Sequence, residues 1–260
     1  MHIVIFTGGE CPEPRLTEQY FSSRRPDFVI AADSGLLSWE RYNAHFGGMF
    51  SHDGADIAPD AILGDMDSLS GKGAEDALKK YPEERIQRFV EDKDFTDTEL
   101  ALEYAHKKCA NWITLVGAGG GTRFDHFLGV FDLFATDLRP DVWLAGEQSL
   151  WYAPQGMTFS VSGLELRDMV SVARTSAART GGRVISDGLL WESNLFRAEG
   201  MPSISNRIKP AFFDAQKPVT IEVSEGEFVL ILPTKAVVNP IYPNEYSYTP
   251  AKANRLCAKK

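Results

Sequence analysis

Trp112-Ile113-Thr114-Leu115-Val116-Gly117-Ala118-Gly119-Gly120-Gly121-Thr122-Arg123-Phe124-Asp125-His126 is the stretch that decides the fold. Five apolar or β-branched residues read as a strand, four glycines in five positions open a loop, and helical period resumes behind them. The spacing predicts a helix over 123–137, with Phe124, Phe127, Leu128, Phe131 and Phe134 as its buried stripe and Arg123, Asp125 and His126 off that stripe near the loop. Working outward, short apolar runs recur at 2–6, 28–32, 61–63, 86–90 and 142–145. Candidate helices fall near 15–23, 35–46, 71–81 and 97–109, with Gly, Pro or Asp at the joins. This alternation predicts an α/β unit: a mostly parallel sheet covered on both faces, which binds ligands at the carboxyl ends of its strands.

Past Gly146 the pattern changes to short strands with turn residues between them, at 157–161, 169–173, 182–186, 219–223 and 228–232. Val219, Ile221 and Val223 alternate with Thr220 and Glu222, and Ser224-Glu225-Gly226-Glu227 then reads as the turn of a hairpin. The expected organisation is an α/β domain over 1–146, an all-β sandwich domain over 147–240, and a poorly ordered tail over 241–260.

The 260 residues are 43% hydrophobic and 24% charged, the make-up of a soluble globular protein of one or two domains. No apolar run approaches the roughly 18 residues of a membrane span, and residues 1–9 are too short and too poor in basic residues for a signal peptide. Cys11, Cys109 and Cys257 are far apart with no C-x-x-C, which argues against a zinc ribbon or a disulfide framework and makes the cytoplasm the default. Residues 1–146 carry a net charge of −11 and residues 147–260 a net of +2. No basic stripe with interleaved aromatics offsets that acid, so nucleic acid is not an expected partner.

The acid is concentrated at strand ends. Gly64-Asp65-Met66-Asp67-Ser68 places two carboxylates at i and i+2 after a strand, on one side of an extended backbone, while Gly64 lets another group approach. Capping of the next helix by Asp67 or Ser68 is the competing reading. Glu91-Asp92-Lys93-Asp94-Phe95-Thr96-Asp97-Thr98-Glu99 follows another strand; Thr96 and Glu99 have capping-box spacing, which puts Asp97 at the first helical position. Ala32-Asp33-Ser34-Gly35 is a further acidic strand end, for which a simple N-cap is the competing reading. The glycine loop can wrap phosphate with backbone N–H groups, although it fits neither G-x-x-x-x-G-K-[ST] nor G-x-G-x-x-G. Together, four acidic or glycine-rich connections on one sheet edge call for a divalent cation, a polyphosphate and an arginine, hence Mg²⁺-dependent phosphoryl-type transfer.

These motifs, with Gly188-Leu189-Leu190-Trp191 and Ser203-Ile204-Ser205-Asn206 further on, resemble the thiamine pyrophosphokinase (thiamine diphosphokinase) family in the family's order, over about residues 2–235. The resemblance implies an N-terminal α/β catalytic domain, a C-terminal β-sandwich, and a homodimer with its thiamine sites between subunits. The implied reaction moves the pyrophosphate of ATP to the thiamine hydroxyl and releases AMP. Asp65, Asp67 and Asp97 would correspond to the Mg²⁺-associated carboxylates. Asp33, Ser68, Thr96, Arg123, Asp125 and the glycine loop with Gly119 and Gly120 would correspond to nucleotide or phosphate contacts, and Trp191, Ser205 and Asn206 to the thiamine region. Asp94 or Asp125 could accept the hydroxyl proton. A pterin pyrophosphokinase of similar architecture and a non-catalytic nucleotide-sensing dimer are the alternatives.

Overall fold

The computed structural model describes residues 1–51, 58–64, 78–88, 95–120, 123–175, 182–192 and 203–242. Six strands form the parallel part: β1 (His2–Phe6), β2 (Phe28–Ala32), β3 (Ala61–Gly64), β4 (Ile86–Arg88), β5 (Trp112–Val116) and β6 (Val142–Ala145). Helices α1 (Glu18–Ser23), α2 (Gly35–His45), α3 (Asp97–Lys107) and α4 (Phe124–Leu133) fall between them. The expected helix at 71–81 and the last two residues of the expected strand 86–90 lie outside the described residues, apart from 78–81 of the former.

Alternate residues of each strand serve opposite cores. Val4, Phe6, Val29 and Ala31 pack in one apolar cluster with Phe21 of α1 and Leu36, Trp39 and Tyr42 of α2. Ile3, Ile5, Ile30, Leu63 and Leu115 pack in a second with Ala101, Leu102 and Ala105 of α3 and Val130 and Leu133 of α4. The sheet is therefore covered on both faces, as its near-continuous apolar strands require.

The parallel strands share a device at their amino edge. Pro26-Asp27, Pro59-Asp60 and Pro140-Asp141 each precede a strand. The carboxylates of Asp27, Asp60 and Asp141 accept from the backbone N–H of His2, Val29 and Ile113, each at 2.7 Å. The backbone N–H of the same three aspartates donates back to the carbonyls of those same residues, at 2.8, 2.9 and 2.9 Å. Each aspartate thus closes a two-way clamp onto the neighbouring strand and fixes its register. Asp141 is buried, and burial pushes its carboxyl up to about 7, against the opposing pull of the Ile113 N–H and the Arg139 charge. A carboxyl whose pKa is raised on folding stabilises below its unfolded value near 4 and loses that contribution as pH rises through about 7. Asp141→Asn is accordingly expected to gain on the wild type, by on the order of 3 kcal/mol, between pH 4 and pH 8. Parallel stability-against-pH curves for the two proteins in urea melts would contradict this.

Beyond Gly146 the chain adds β7 (Gln148–Pro154), β8 (Thr158–Ser162), β9 (Val170–Arg174), β10 (Arg183–Asp187), β11 (Ser203–Asn206), helix α5 (Pro210–Asp214), β12 (Val219–Glu225), β13 (Glu227–Pro233) and β14 (Val237–Ile241). The ten-stranded sheet runs β11-β9-β13-β7-β6-β5-β1-β2-β3-β4, so the parallel strands continue into antiparallel ones at β6–β7 without a break; β10-β12-β8-β14 forms the second sheet. Apolar residues of both sheets, among them Val172 and Leu230 from one and Phe159, Val161 and Ile221 from the other, share one core cluster. That is the sandwich the sequence pattern implies.

Three expectations need correction. β12 and β13 are not a hairpin: β12 pairs with β10 and β8 in the small sheet, β13 with β7 and β9 in the large one. Their alternating apolar residues face each other across the core, which the same sequence pattern also satisfies. The stripe on α4 is not all buried either. Phe124 is 74% and Leu128 60% exposed, and only Val130, Leu133 and Phe134 are buried; Val130 and Leu133 line a cleft, on a different side of the helix from Phe124 and Leu128. Finally, Cys11 is a free thiol but Cys109 is disulfide-bonded. No helix among the described residues is long and apolar enough to cross a membrane.

Candidate active site

At the carboxyl edge of the parallel strands, opposite the Pro-Asp clamps, lies a cleft of about 670 Å³. Four connections build it. The turn after β1 supplies Thr7, Gly8 and Gly9, the turn after β2 supplies Asp33 and Ser34, the start of α3 supplies Thr96 to Glu99, and the β5–α4 loop supplies Ala118 to Gly120 with Arg123 and Asp125. Seven residues singled out from sequence, Asp33, Thr96, Asp97, Gly119, Gly120, Arg123 and Asp125, therefore line one space. Thr7, Gly8 and Gly9 were not expected there. Their signal was present in the sequence: glycines directly behind a buried strand, as at Gly117.

Each wall has a local cause. Thr96 is the N-cap of α3 with a complete capping box: its Oγ1 accepts from the Glu99 N–H at 3.2 Å, and Glu99 Oε2 accepts from the Thr96 N–H at 2.8 Å. That anchors Asp97 at the first helical position, where the positive end of the helix favours a carboxylate. Asp33 has a left-handed backbone, φ 52°, and its N–H donates to the Leu63 carbonyl at 2.9 Å. Its carboxylate fills the space beside Gly64, where an added Cβ would come 2.3 Å from Asp33 Oδ1. The expectation that Gly64 admits another group is met, and the group is Asp33. The N-cap of α2 is Ser34, whose side chain makes no capping bond.

Arg123 and Asp125 form a forked ion pair at the start of α4, with Nε–Oδ1 3.0 Å, Nε–Oδ2 3.3 Å and Nη2–Oδ2 2.7 Å. The Arg123 guanidinium holds the Asp125 carboxyl well below the usual carboxylate range and is itself raised in return. Both side chains are exposed, so the pair orients the arginine more than it stabilises the fold.

Asp65, Asp67, Ser68 and Asp94 lie outside the described residues. Among the described residues, no three His, Cys, Asp or Glu side chains cluster as a metal site. Of the three carboxylates that the resemblance associates with Mg²⁺, Asp97 is the one placed, and it offers hard oxygen donors inside the cleft, the chemistry that ion takes.

Trp191, Ser205 and Asn206 sit elsewhere. Asn206 is wholly buried, and its carboxamide is spent within the chain: Nδ2 donates to the Trp191 carbonyl at 2.7 Å and to Ser203 Oγ at 3.3 Å, and Oδ1 accepts from the N–H groups of Trp191 at 3.1 Å and Arg207 at 2.9 Å. Ser205 takes a left-handed φ of 59°, and its N–H donates to Ser171 Oγ at 2.9 Å. The result is a braced Trp191 whose ring is 58% exposed, with the Arg207 guanidinium 5.9 Å from its centroid. In the strand order β11 and β5 are five steps apart, or about 24 Å at a strand spacing of about 4.8 Å. Trp191, Ser205 and Asn206 are not among the residues that line the cleft.

Residues 19–143 match the family model for the thiamin pyrophosphokinase catalytic domain. The match covers 125 of the 260 residues, just under half of the chain. Thiamine pyrophosphokinase of Bacillus subtilis (strain 168) is 33% identical over 88 residues, a match spanning 34% of this chain and 40% of that relative's length. The crystal structure of thiamin pyrophosphokinase from Geobacillus thermodenitrificans superposes with a TM-score of 0.64 at 23% identity, covering 90% of this chain and 97% of the other. Thiamin pyrophosphokinase from Candida albicans gives 0.57 at 16% identity, covering 89% and 88%. At such identities the structures speak for the fold, and they extend it across both sheets.

Proposed function

We propose that this chain is a thiamine pyrophosphokinase, transferring the pyrophosphate of ATP to the hydroxyl of thiamine with release of AMP. The observation that carries this reading is the single cleft into which four separate strand-end connections bring Asp33, Thr96, Asp97, Gly119, Gly120, Arg123 and Asp125. The catalytic-domain match over residues 19–143 supports it. In the reaction the hydroxyl oxygen bonds to the β-phosphorus, the bond from that phosphorus to the α,β-bridging oxygen breaks, and AMP leaves with the electron pair.

Each residue then has a task. The glycine loop presents backbone N–H groups to phosphate oxygens. Arg123, held in aim by Asp125, shares the phosphate charge. Asp97, with Asp65 and Asp67, would hold Mg²⁺, which when bound supplies positive charge that eases approach of the nucleophile and departure of AMP. Asp94 or Asp125 would accept the hydroxyl proton.

The Trp191 edge completes the site from a second subunit. We assign the α/β part, 1–146, to ATP and Mg²⁺ and the β-rich part, 147–240, to thiamine and dimer formation. The separation of about 24 Å between β11 and β5 within one chain and the apolar Phe124 and Leu128 exposed beside the cleft both favour a homodimer in which one sandwich meets the other cleft.

Incubation with ATP, Mg²⁺ and thiamine followed by mass detection is expected to show thiamine diphosphate and AMP in equal amounts. AMP formation only with a hydroxymethyl pterin would replace thiamine by the pterin alternative. Nucleotide binding with no AMP from any acceptor would leave the non-catalytic sensing dimer.

A further inference from the structure

Under the glycine loop lies one side chain that none of these roles uses. Trp143 is wholly buried on β6, and its Nε1 donates to the Gly117 carbonyl at 2.5 Å. The benzo ring of the same indole lies under Gly119: an added Cβ there would be 2.5 Å from Cζ2 and 3.2 Å from Cη2. Gly119 is not among the residues with positive φ, so its backbone would accept a side chain. The indole is what demands glycine at this position. A third side of the ring meets Phe127 of α4, with centroids 5.3 Å apart. One rigid group therefore sets the height of the loop and touches the helix that begins just behind Arg123. Gly119, Gly120, Arg123 and Asp125 all line the cleft above it.

We propose that Trp143 is a positioning residue for the phosphate-binding loop, tuning affinity for Mg²⁺-ATP and leaving the acceptor side untouched. The inference rests on the reading of the cleft as the ATP site. The physical basis is that backbone N–H groups hold an anion only at hydrogen-bond distance, so a floor displaced by a fraction of an ångström weakens several contacts at once. A buried tryptophan that merely filled the core would change stability without choosing between the two substrates.

The test is a double-mutant cycle on the full chain, read by calorimetric Mg²⁺-ATP binding and by the KM for thiamine. Gly119→Ala drives a methyl group into the indole and is expected to weaken Mg²⁺-ATP about a hundredfold, and Trp143→Phe, which deletes the N–H and shortens the ring, about tenfold. The double variant Gly119→Ala/Trp143→Phe has room for the methyl and is expected to bind no worse than Trp143→Phe alone, a coupling of about a hundredfold. The KM for thiamine should stay within about twofold throughout. Additive effects, or unchanged ATP affinity in Trp143→Phe alongside a lower melting temperature, would overturn the proposal while leaving the ATP reading intact. Failure of the wild type to bind Mg²⁺-ATP would overturn that reading and this inference with it. If Trp143→Phe does not fold, Gly119→Ala alone decides: unchanged affinity for Mg²⁺-ATP there overturns the proposal.

Discussion

Asp97→Asn is expected to lower turnover by a factor on the order of a hundred or more, because it removes one of the carboxylate charges on which Mg²⁺ and the phosphates would depend. The fold should survive. Asp97 opens α3 at a cleft wall, where the Thr96–Glu99 capping box holds the helix start without it. Loss of the favourable carboxylate–helix interaction costs about 0.3–1 kcal/mol, and so a few degrees of melting temperature. Asp65→Asn and Asp67→Asn should behave alike, and in each variant higher Mg²⁺ should recover part of the loss, since weaker cation binding is the cause. Steady-state assays across a Mg²⁺ series, with thermal melts alongside, check both halves of the statement. Near-normal activity in any two of the three variants would remove the metal assignment. A collapse of the melting temperature in Asp97→Asn would mark that aspartate as structural.

The distinction between structural and functional aspartate shows what the sequence did and did not make legible. Asp27, Asp60 and Asp141 stand before strands and behind proline, and all three are used on the backbone of a neighbouring strand. Asp33 and Asp97 stand behind strands or at helix starts, and both line the cleft. Position relative to a buried run thus separates the two classes, and strand-end position marks the residues that line the cleft. The same reasoning failed where two architectures satisfy one pattern. Alternation along β12, a turn and the apolar run of β13 suit a hairpin and two strands facing each other across a sandwich equally well, and only pairing decides. β7, with Ser149 to Ala153 all buried, is a strand that the sequence pattern does not mark out. Periodicity on α4 reports an apolar face and is silent on whether that face is buried. The resemblance places Asn206 in the thiamine region, and in the structure its buried carboxamide holds the backbone of Trp191. Sequence spacing cannot tell a residue that touches a ligand from one that holds the residue beside it.

The bracing role of Asn206 decides which variant tests the proposed cross-subunit site. Asn206→Ala would leave the N–H and carbonyl of Trp191 without their partner, so lost activity could reflect a misplaced segment. Trp191→Ala is the cleaner change, because the ring is exposed and its removal opens no core cavity. Taken alone, Trp191→Ala homodimers should lose the acceptor contact in both sites and Asp97→Asn homodimers the cation contact in both. When equal amounts are mixed and allowed to exchange, about half the dimers are hybrids, each with one site built from two undamaged halves. About a quarter of wild-type activity should therefore return. The recovery should appear at the rate of subunit exchange and not at the instant of mixing, which distinguishes assembly from any additive residue of the two preparations. Differently tagged subunits, captured in tandem, would establish that hybrids exist. Hybrids that form and remain inactive would mean that the acceptor binds within one chain, and the separation of about 24 Å between β11 and β5 would then exclude Trp191 from the site altogether.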